Sequence, residues 1–421
     1  MNKLIKKTLL LVPLVKKYVD SSHKIRTNLL ENQKCLKELN SLIMASRSPG
    51  LFDSNKDFLT ERLLAHPVKD PMPSITLVSE CATEKPNSVA IADRLIRSYH
   101  KALEDEEHSS LKRDGEDLWT GLIRNELPEL LETIDRKDPE KLAKYLREFG
   151  QSFVWFGGIT SCVDGYNRNL DPQHVAVTYL DKIICLAEYL GILGFENPES
   201  GPWGDNLNVD INDLIFKIEK EIGIEVSPPL GIIHTDGVKA GKGLFHYRHI
   251  NSLYSAIQID KLSQQHGPIC EFGGGLGMTA MYARRFGIMD YTLLDLPITC
   301  LLAGHYLLHA VGEDQVSLYG ETLSDDDIKI LPYWECLSIP DKSMELIVNQ
   351  DSLPEISDNL INEYLKQIKR ITKKYFLSIN HECFHPRTVF NFVRSSTGYD
   401  PVSRSKCWVR EGYIEEVYRI K

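Results

Sequence analysis

The 421-residue sequence contains no cysteine pair of the CxxC type, no long apolar run and no excess of positive charge. Its nine single cysteines fit a reducing compartment such as the cytoplasm better than a disulfide framework. The net charge of -10 disfavours nucleic acid as a main partner. With 42% apolar and 26% charged residues, the composition is that of a globular chain of two or three domains. Small-molecule chemistry is therefore the expected class of function.

The N-terminal segment is basic and then periodic. Its first seventeen residues hold five lysines and no acid around an apolar run from Thr8 to Val15. This run is far shorter than the roughly 20 residues that cross a bilayer, so no transmembrane segment is predicted. Peripheral contact with anionic lipid, and hence membrane association, stays open beside an ordinary helix start or tail. From Tyr18 to Ile43, steps of four and three predict a helix that either joins two copies of the chain or packs on the next domain.

The sequence divides into four regions. Residues 1–45 are the basic segment with its candidate coiled-coil helix, and the proline-containing residues 46–87 are interpreted as a linker with short elements. Residues 88–230 are predicted to form a helical domain, because apolar faces recur over 88–103, 139–153, 174–190 and 211–222. Residues 231–421 form the last domain.

The last domain alternates strands with helices. Apolar runs rich in β-branched residues occupy 268–272, 291–296, 316–319, 345–349 and 375–379, with helical patterns such as 358–371 between them. This alternation predicts an α/β fold with a doubly wound, mostly parallel sheet. Ligands of such sheets bind beyond the carboxyl ends of the strands, near the point where the strand order reverses.

The stretch "ICEFGGGLGMT" (269–279) follows the first of these strands. It lacks the dinucleotide fingerprint GxGxxG, because Met278 stands where the third glycine is required. Its alternating positions are instead Glu271, Gly273, Gly275 and Gly277. A carboxylate before the loop would repel a pyrophosphate and suits a cation such as S-adenosylmethionine. Asp295, at the end of the second strand, is placed to accept the ribose hydroxyls.

Several segments resemble known methyltransferases. "ICEFGGGLGMTA" and "LLDLP" resemble the first two motifs of class I S-adenosylmethionine-dependent O-methyltransferases. "HYRHINSLYSAIQI", "ELIVNQDSLPEI", "YFLSINHECF" and "SRSKCWVREGYIEEVY" resemble the sugar O-methyltransferases found among bacterial surface-polysaccharide genes. The resemblance covers roughly residues 85–421. It implies a Rossmann-like class I methyltransferase domain, S-adenosylmethionine as cofactor and a sugar or glycan acceptor, and it assigns Glu271, the three glycines and Asp295 to cofactor binding.

Residues after the fourth and fifth strands are the candidates for catalysis. Transfer of a methyl group to an alcohol requires in-line geometry and removal of a proton. His381 is favoured as the base, with Asp351 as its orienter or as an alternative base. Asn349 is assigned to the cofactor site. The predicted substrate-binding residues are Arg248, His249, Tyr254, Asn380 and Glu355.

Other interpretations stay open. The tail residues Arg404, Trp408, Arg410 and Tyr413 combine aromatic and cationic groups, as a carbohydrate site would, but Trp408 is expected to pack in the core. Asp351, Glu355, Glu382 and His381 could hold a divalent cation, yet no spacing is diagnostic, so no metal is predicted. The alternative functions are a phenol or natural-product O-methyltransferase and a non-catalytic, oligomeric methyltransferase-like scaffold.

Overall fold

The computed structural model describes Lys24 and residues 73–113, 118–151, 172–197, 204–263 and 266–421. Apart from Lys24, the predicted basic segment and the 18–43 helix lie outside these described residues, so self-association through that helix stays a prediction. Within the described ranges, no helix has both the length and the apolar character that a membrane span needs.

A mixed sheet forms the centre of the C-terminal region. Its strands are β4 (Ile269–Phe272), β5 (Tyr291–Asp295), β6 (Val316–Leu318), β7 (Ile328–Pro332), β8 (Met344–Gln350), β9 (Thr372–His381), β10 (Tyr399–Lys406) and β11 (Tyr413–Ile420). The order across the sheet is β10-β11-β9-β8-β4-β5-β7-β6. Six strands run parallel, and β11 runs antiparallel to both of its neighbours. The predicted α/β class with a doubly wound, mostly parallel sheet is confirmed.

Strand β7, unlike its neighbours β5 and β6, was not predicted from the sequence. Its five residues are all buried, and it lies between β5 and β6. Lys329 interrupts the apolar run, but its ammonium lies 2.8 Å from a carboxylate oxygen of Asp290, which satisfies the buried charge. A short segment with a lysine and a terminal proline gives little strand signal, although it is paired on both sides, between β5 and the edge strand β6.

Helices precede and surround the sheet. They are α1 (Ser88–Glu106), α2 (Leu118–Glu126), α3 (Pro128–Asp135), α4 (Pro139–Glu148), α5 (Pro172–Tyr189), α6 (Ile211–Ile222), α7 (Tyr247–Leu262), α8 (Met278–Arg285), α9 (Pro297–Ala310), α10 (Asp358–Ile371) and α11 (Val389–Arg394). The predicted start of α4 is confirmed, because the Asp138 side chain accepts from the backbone N–H of Lys141 at 2.9 Å. The helix predicted over 139–153 ends earlier, with a short 3₁₀ turn at Phe149–Gln151, and residues 152 and 153 lie outside the described residues.

The helical region packs directly on the sheet domain. A Cβ atom on Gly304 of α9 would lie 2.5 Å from Leu95 of α1, so this glycine lets the two helices approach closely. One cluster of buried apolar residues continues from α1 through α9 into the sheet. The division predicted at residue 230 stays a prediction. A small antiparallel sheet pairs β1 (Val78–Glu80), which precedes the helical region, with β2 (Thr235–Ala240), which follows it and pairs with β3 (Gly243–Phe245).

The carboxyl ends of the central strands meet at one edge. Phe272 of β4 stands beside Leu294 of β5 and Asn349 of β8, and Gln350 stands beside Ile379 of β9. From β4 the chain proceeds to β5 on one side, while β8 returns on the other side. The strand order therefore reverses at β4, where a ligand site is expected.

Candidate active site

A cavity of about 280 Å³ opens at this edge of the sheet. One part, called here the loop half, is lined by residues 273–276 with Asp295 and Thr299. The other part, called here the polar half, is lined by Thr178, Lys182, Arg248, Asn251, Ser252, Asp351, Arg410, Glu411 and Tyr413. The two halves share one space, as a donor and an acceptor of a transferred group require.

The glycine loop presents its backbone to the cavity. Gly275 has a φ of +57°, and a Cβ atom there would meet nothing within 4 Å, because this residue faces open space. Its N–H donates to Asp295 Oδ2 at 2.8 Å. At Gly273, a Cβ atom would lie 2.3 Å from the hydroxyl oxygen of Ser352. Gly277 does not line the cavity and instead precedes α8, packed on Leu307.

Asp295 reaches the cavity from the end of β5, as predicted. Its other carboxylate oxygen, Oδ1, accepts from the N–H of Leu296 at 2.7 Å. Burial raises the pKa of Asp295 to about 6, although these backbone hydrogen bonds act in the opposite direction. The Thr299 side chain also donates to this carboxylate, which keeps a lone pair that a further hydroxyl group could use.

Glu271 lies beneath the loop and does not line the cavity. Its oxygens accept from the hydroxyl of Tyr291 at 2.7 Å and from the amide of Gln350 at 3.0 Å. Burial raises its pKa to about 7, against the effect of these two hydrogen bonds. Its predicted effect on a cation would therefore be exerted through the loop by charge, because no direct contact is open to it.

Asp351 lines the polar half directly after β8. Its backbone has a φ of +61°, a conformation that Asp and Asn tolerate better than most residues. Its carboxylate accepts from Arg410 Nη2 at 2.7 Å and from the hydroxyl of Tyr413. Burial acts to raise the pKa of Asp351, but the charge of Arg410 and these hydrogen bonds lower it below the ordinary value. Asp351 is therefore ionised near neutral pH.

His381 lies behind the cavity wall. Its Nδ1 is 2.9 Å from Cys383 Sγ, and its Nε2 is 3.6 Å from Glu355 Oε1. The second oxygen of Glu355 accepts from the indole of Trp119 at 2.9 Å. Burial raises the pKa of Glu355. Of the two predicted catalytic residues, the structure brings only Asp351 to the cavity surface, and Glu355 is not in the lining either.

Asn349 and Asn380 bind each other and not the cavity. The Asn380 amide donates to Asn349 Oδ1 at 2.9 Å, and Asn349 donates to the carbonyl of Phe272 at 2.8 Å. Asn380 also accepts from the N–H of Ser352 at 3.2 Å. These bonds join the ends of β4, β8 and β9, so both residues support the site from behind.

Helix α7 brings one of its three predicted residues to the cavity. Arg248 lines the polar half. His249 caps the helix by accepting from the N–H of His246 at 3.3 Å, and burial lowers its pKa to about 3. Tyr254 donates to Glu415 at 2.7 Å and packs on Tyr189. His249 and Tyr254 are thus structural residues.

Several residues in and around the cavity were not predicted, or were predicted wrongly, from the sequence. Lys182 was not predicted, although adjacent charges inside the apolar helix "VAVTYLDKIICL" (175–186) give a usable signal. The expectation that Trp408 packs in the core is wrong, because it is 39% exposed and stacks on exposed Phe195. Arg404 pairs with Glu416 and Glu382 on the terminal hairpin, outside the cavity lining.

Three side chains could in principle share a metal ion. The ligand atoms of Asp351, Glu355 and His381 all lie within 4.8 Å of one another. However, Asp351 already accepts from Arg410 and Tyr413. The guanidinium of Arg410 would repel a second cation at this position.

No known protein-family profile and no curated protein matches this chain. Solved structures are similar to parts of it. The PH0226 protein from Pyrococcus horikoshii OT3 is 13% identical, covers 41% of this chain and 90% of its own, and has a TM-score of 0.33. The glycopeptide N-methyltransferase MtfA, complexed with S-adenosylhomocysteine, is 14% identical, covers 40% of this chain and 90% of its own, and has a TM-score of 0.32. Magnesium protoporphyrin IX methyltransferase from Synechocystis PCC 6803, with bound S-adenosylmethionine, is 8% identical, with 43% and 87% coverage and a TM-score of 0.31.

Proposed function

We propose that this protein is an S-adenosylmethionine-dependent O-methyltransferase that methylates a sugar hydroxyl. The observation that carries the proposal is a single cavity with a glycine loop and Asp295 in one half and an ionised Asp351 in the other. The sequence motifs that resemble sugar O-methyltransferases point in the same direction.

The loop half fits this cofactor by its charge and shape. Gly275 leaves room against the backbone, and Asp295 can accept from the ribose hydroxyls. Leu294 and Leu296, which flank Asp295, line the cavity together with Leu360 and offer apolar contact to an adenine ring. Buried Glu271 beneath the loop disfavours a phosphate and favours a sulfonium or ammonium group. When bound, the cofactor supplies a methyl group on a positively charged sulfur.

Asp351 is the proposed base. Arg410 and Tyr413 fix its carboxylate toward the cavity wall, where it can accept a hydrogen bond from an acceptor hydroxyl. Its low pKa makes it a weak base toward a free alcohol. The oxygen becomes far more acidic as the new C–O bond gives it positive charge, so a weak base is sufficient at that moment.

The polar half favours a sugar over a phenol. Thr178, Asn251 and Ser252 offer hydroxyl and amide groups, and Lys182 and Glu411 add charged ones. A polyhydroxylated acceptor can pair with such groups, whereas a flat apolar phenol would leave them unpaired at a cost of about 1–3 kcal/mol for each buried group.

Two measurements test the proposal. Isothermal titration of the full chain with S-adenosylhomocysteine should show binding at one site, and absence of binding would leave the scaffold alternative in place. Mass spectrometry of surface glycans from cells with and without the protein should show loss of a methyl group from a sugar. An unchanged glycan methylation pattern with intact cofactor binding would instead favour the phenol or natural-product acceptor.

A further inference from the structure

We propose that Arg248 binds an acidic group of the acceptor, so that the acceptor is an anionic sugar carrying a carboxylate or a phosphate. This inference rests on the proposed function and names the substrate class of the same site. It starts from one feature: Arg248 lines the polar half, and its buried Nε has no hydrogen-bond partner among the described residues.

The guanidinium is partly desolvated. Its Nε atom is buried and has no partner among the described residues. The backbone N–H of Arg248 donates to His246 Nδ1 at 3.3 Å in the cap of α7, which fixes the position of this first turn. A buried donor of a charged group costs free energy until an acceptor reaches it. An anionic oxygen in the cavity would lie against the guanidinium and offset this cost by charge.

The other cations of the polar half already have acceptors. Arg410 donates to Asp351 at 2.7 Å, and Lys182 donates to the carbonyl of Val409 at 2.6 Å, with Glu411 at 3.9 Å. Within the described part of this half, Arg248 is the cation that lacks such an acceptor. The charge balance of the polar half therefore has room for one anion beside Arg248.

Arg248 faces the acceptor side of the cavity. Its positive charge contributes to the low pKa of Asp351, the proposed base, which places the two groups within electrostatic reach. Asn251 and Ser252, about one helical turn further along α7, line the same wall. An acidic group at Arg248 would thus hold a sugar with a hydroxyl toward Asp351. A guanidinium suits this task, because its planar fork binds a carboxylate or a phosphate through two parallel hydrogen bonds.

The test uses the full chain saturated with S-adenosylhomocysteine. Isothermal titration with D-glucuronate, D-glucose 1-phosphate and neutral D-glucose is compared for the wild type and for Arg248→Met, Arg248→Lys and Arg97→Met. Arg97 is a matched control, because it is 69% exposed on α1 and outside the cavity lining. Circular dichroism and thermal unfolding establish that each variant folds.

We expect one of the acidic probes to bind the wild type and Arg97→Met more tightly than D-glucose. Its affinity should fall roughly 10- to 100-fold in Arg248→Met, the effect of losing a hydrogen bond to a charged group. The affinity of Arg248→Lys for this probe should lie between those of the wild type and Arg248→Met, because lysine keeps the charge and lacks the planar fork. The probe that binds tells whether the group is a carboxylate or a phosphate.

Three outcomes would overturn the inference: acidic probes that bind no better than D-glucose, unchanged anion affinity in Arg248→Met, or a loss of S-adenosylhomocysteine affinity in that variant, which would assign Arg248 to the cofactor. A wild type that does not bind S-adenosylhomocysteine would instead refute the proposed function. The titrations with acidic probes on the unloaded chain would still report on Arg248.

Discussion

The two halves of the cavity are built in different ways. In the loop half, four consecutive residues present their backbone, and Asp295 joins them from twenty residues further along the chain. In the polar half, side chains come together from α5, α7, the turn after β8 and the terminal hairpin, and the contact between Lys182 and Val409 joins residues 227 positions apart. The loop half is therefore a local feature of the sequence, whereas the polar half exists only in the folded chain.

The largest expected effect separates the two halves by function. Asp351→Asn should lower kcat by about 100-fold or more, within the usual contribution of a general base. Asparagine accepts the φ of +61° and can still bond to Tyr413, so the fold and the affinity for S-adenosylhomocysteine should be retained. Methyl-transfer kinetics and calorimetry on the same preparation measure both quantities.

The control for this prediction is His381→Ala. Because His381 lies behind Asp351 and is not in the cavity lining, this variant should lose much less activity. A loss as large as that of Asp351→Asn would mean that His381 takes the proton, as the sequence alone suggested.

The next prediction concerns the loop half. Gly275→Ala and Gly191→Ala both place a Cβ atom at a positive φ, +57° and +74°, with no neighbour within 4 Å. Both should lose about 1–2 kcal/mol of stability from the left-handed backbone. Only Gly275→Ala should also weaken S-adenosylhomocysteine binding, by roughly tenfold or more, which corresponds to 1.4 kcal/mol. Equal affinities for the two variants would remove Gly275 from the cofactor site.

This contrast explains which parts of the site could be predicted. Gly275 and Asp295 were found because a loop motif and a strand end are visible in consecutive residues. Asn349 and Asn380 have the right residue type at the right strand ends, yet their amides are used by each other across β8 and β9. Only the strand register shows this pairing. For the same reason, the strand order and β7 needed the folded chain, while the positions of the other five parallel strands and of helices such as α1, α6 and α10 followed from periodicity.

A smaller effect should appear in the pH dependence of cofactor binding. In the unliganded protein, Glu271 has a pKa of about 7, so it is partly protonated at neutral pH. A cationic cofactor favours the ionised form, so its affinity should rise as the pH increases from about 6 to 8, by at most roughly tenfold per pH unit. Asp351 has a lowered pKa and stays ionised over this range. The polar half should therefore contribute no pH dependence there.

Glu271→Gln should remove this rise in cofactor affinity and leave the smaller rise that the ionisation of Asp295 gives near pH 6. Tyr291 can rotate its hydroxyl to accept from the new amide, so the fold should persist. The stability of the unliganded protein should change with pH in the opposite direction to the cofactor affinity. The stability that the raised pKa of Glu271 contributes is fully present below pH 4.5, the ordinary pKa of a glutamate, and is lost as the pH rises through about 7. Between pH 5 and 8, the thermal unfolding temperature should thus fall less steeply in Glu271→Gln than in the wild type.

The smallest expected effect is that of a metal chelator. Asp351, Glu355 and His381 are close enough to share an ion, but Arg410 already supplies the positive charge beside Asp351. An ion and a guanidinium at the same carboxylate would repel each other. EDTA followed by dialysis should therefore leave kcat within about twofold of the untreated enzyme, the scale of a change below 0.5 kcal/mol in the barrier. If activity is lost and Mg²⁺ restores it, the polar half is completed by an ion that displaces Arg410. If such an ion is present, the Arg410→Met variant should keep its activity. If no ion takes part, this variant should lose activity, because Arg410 no longer aligns Asp351.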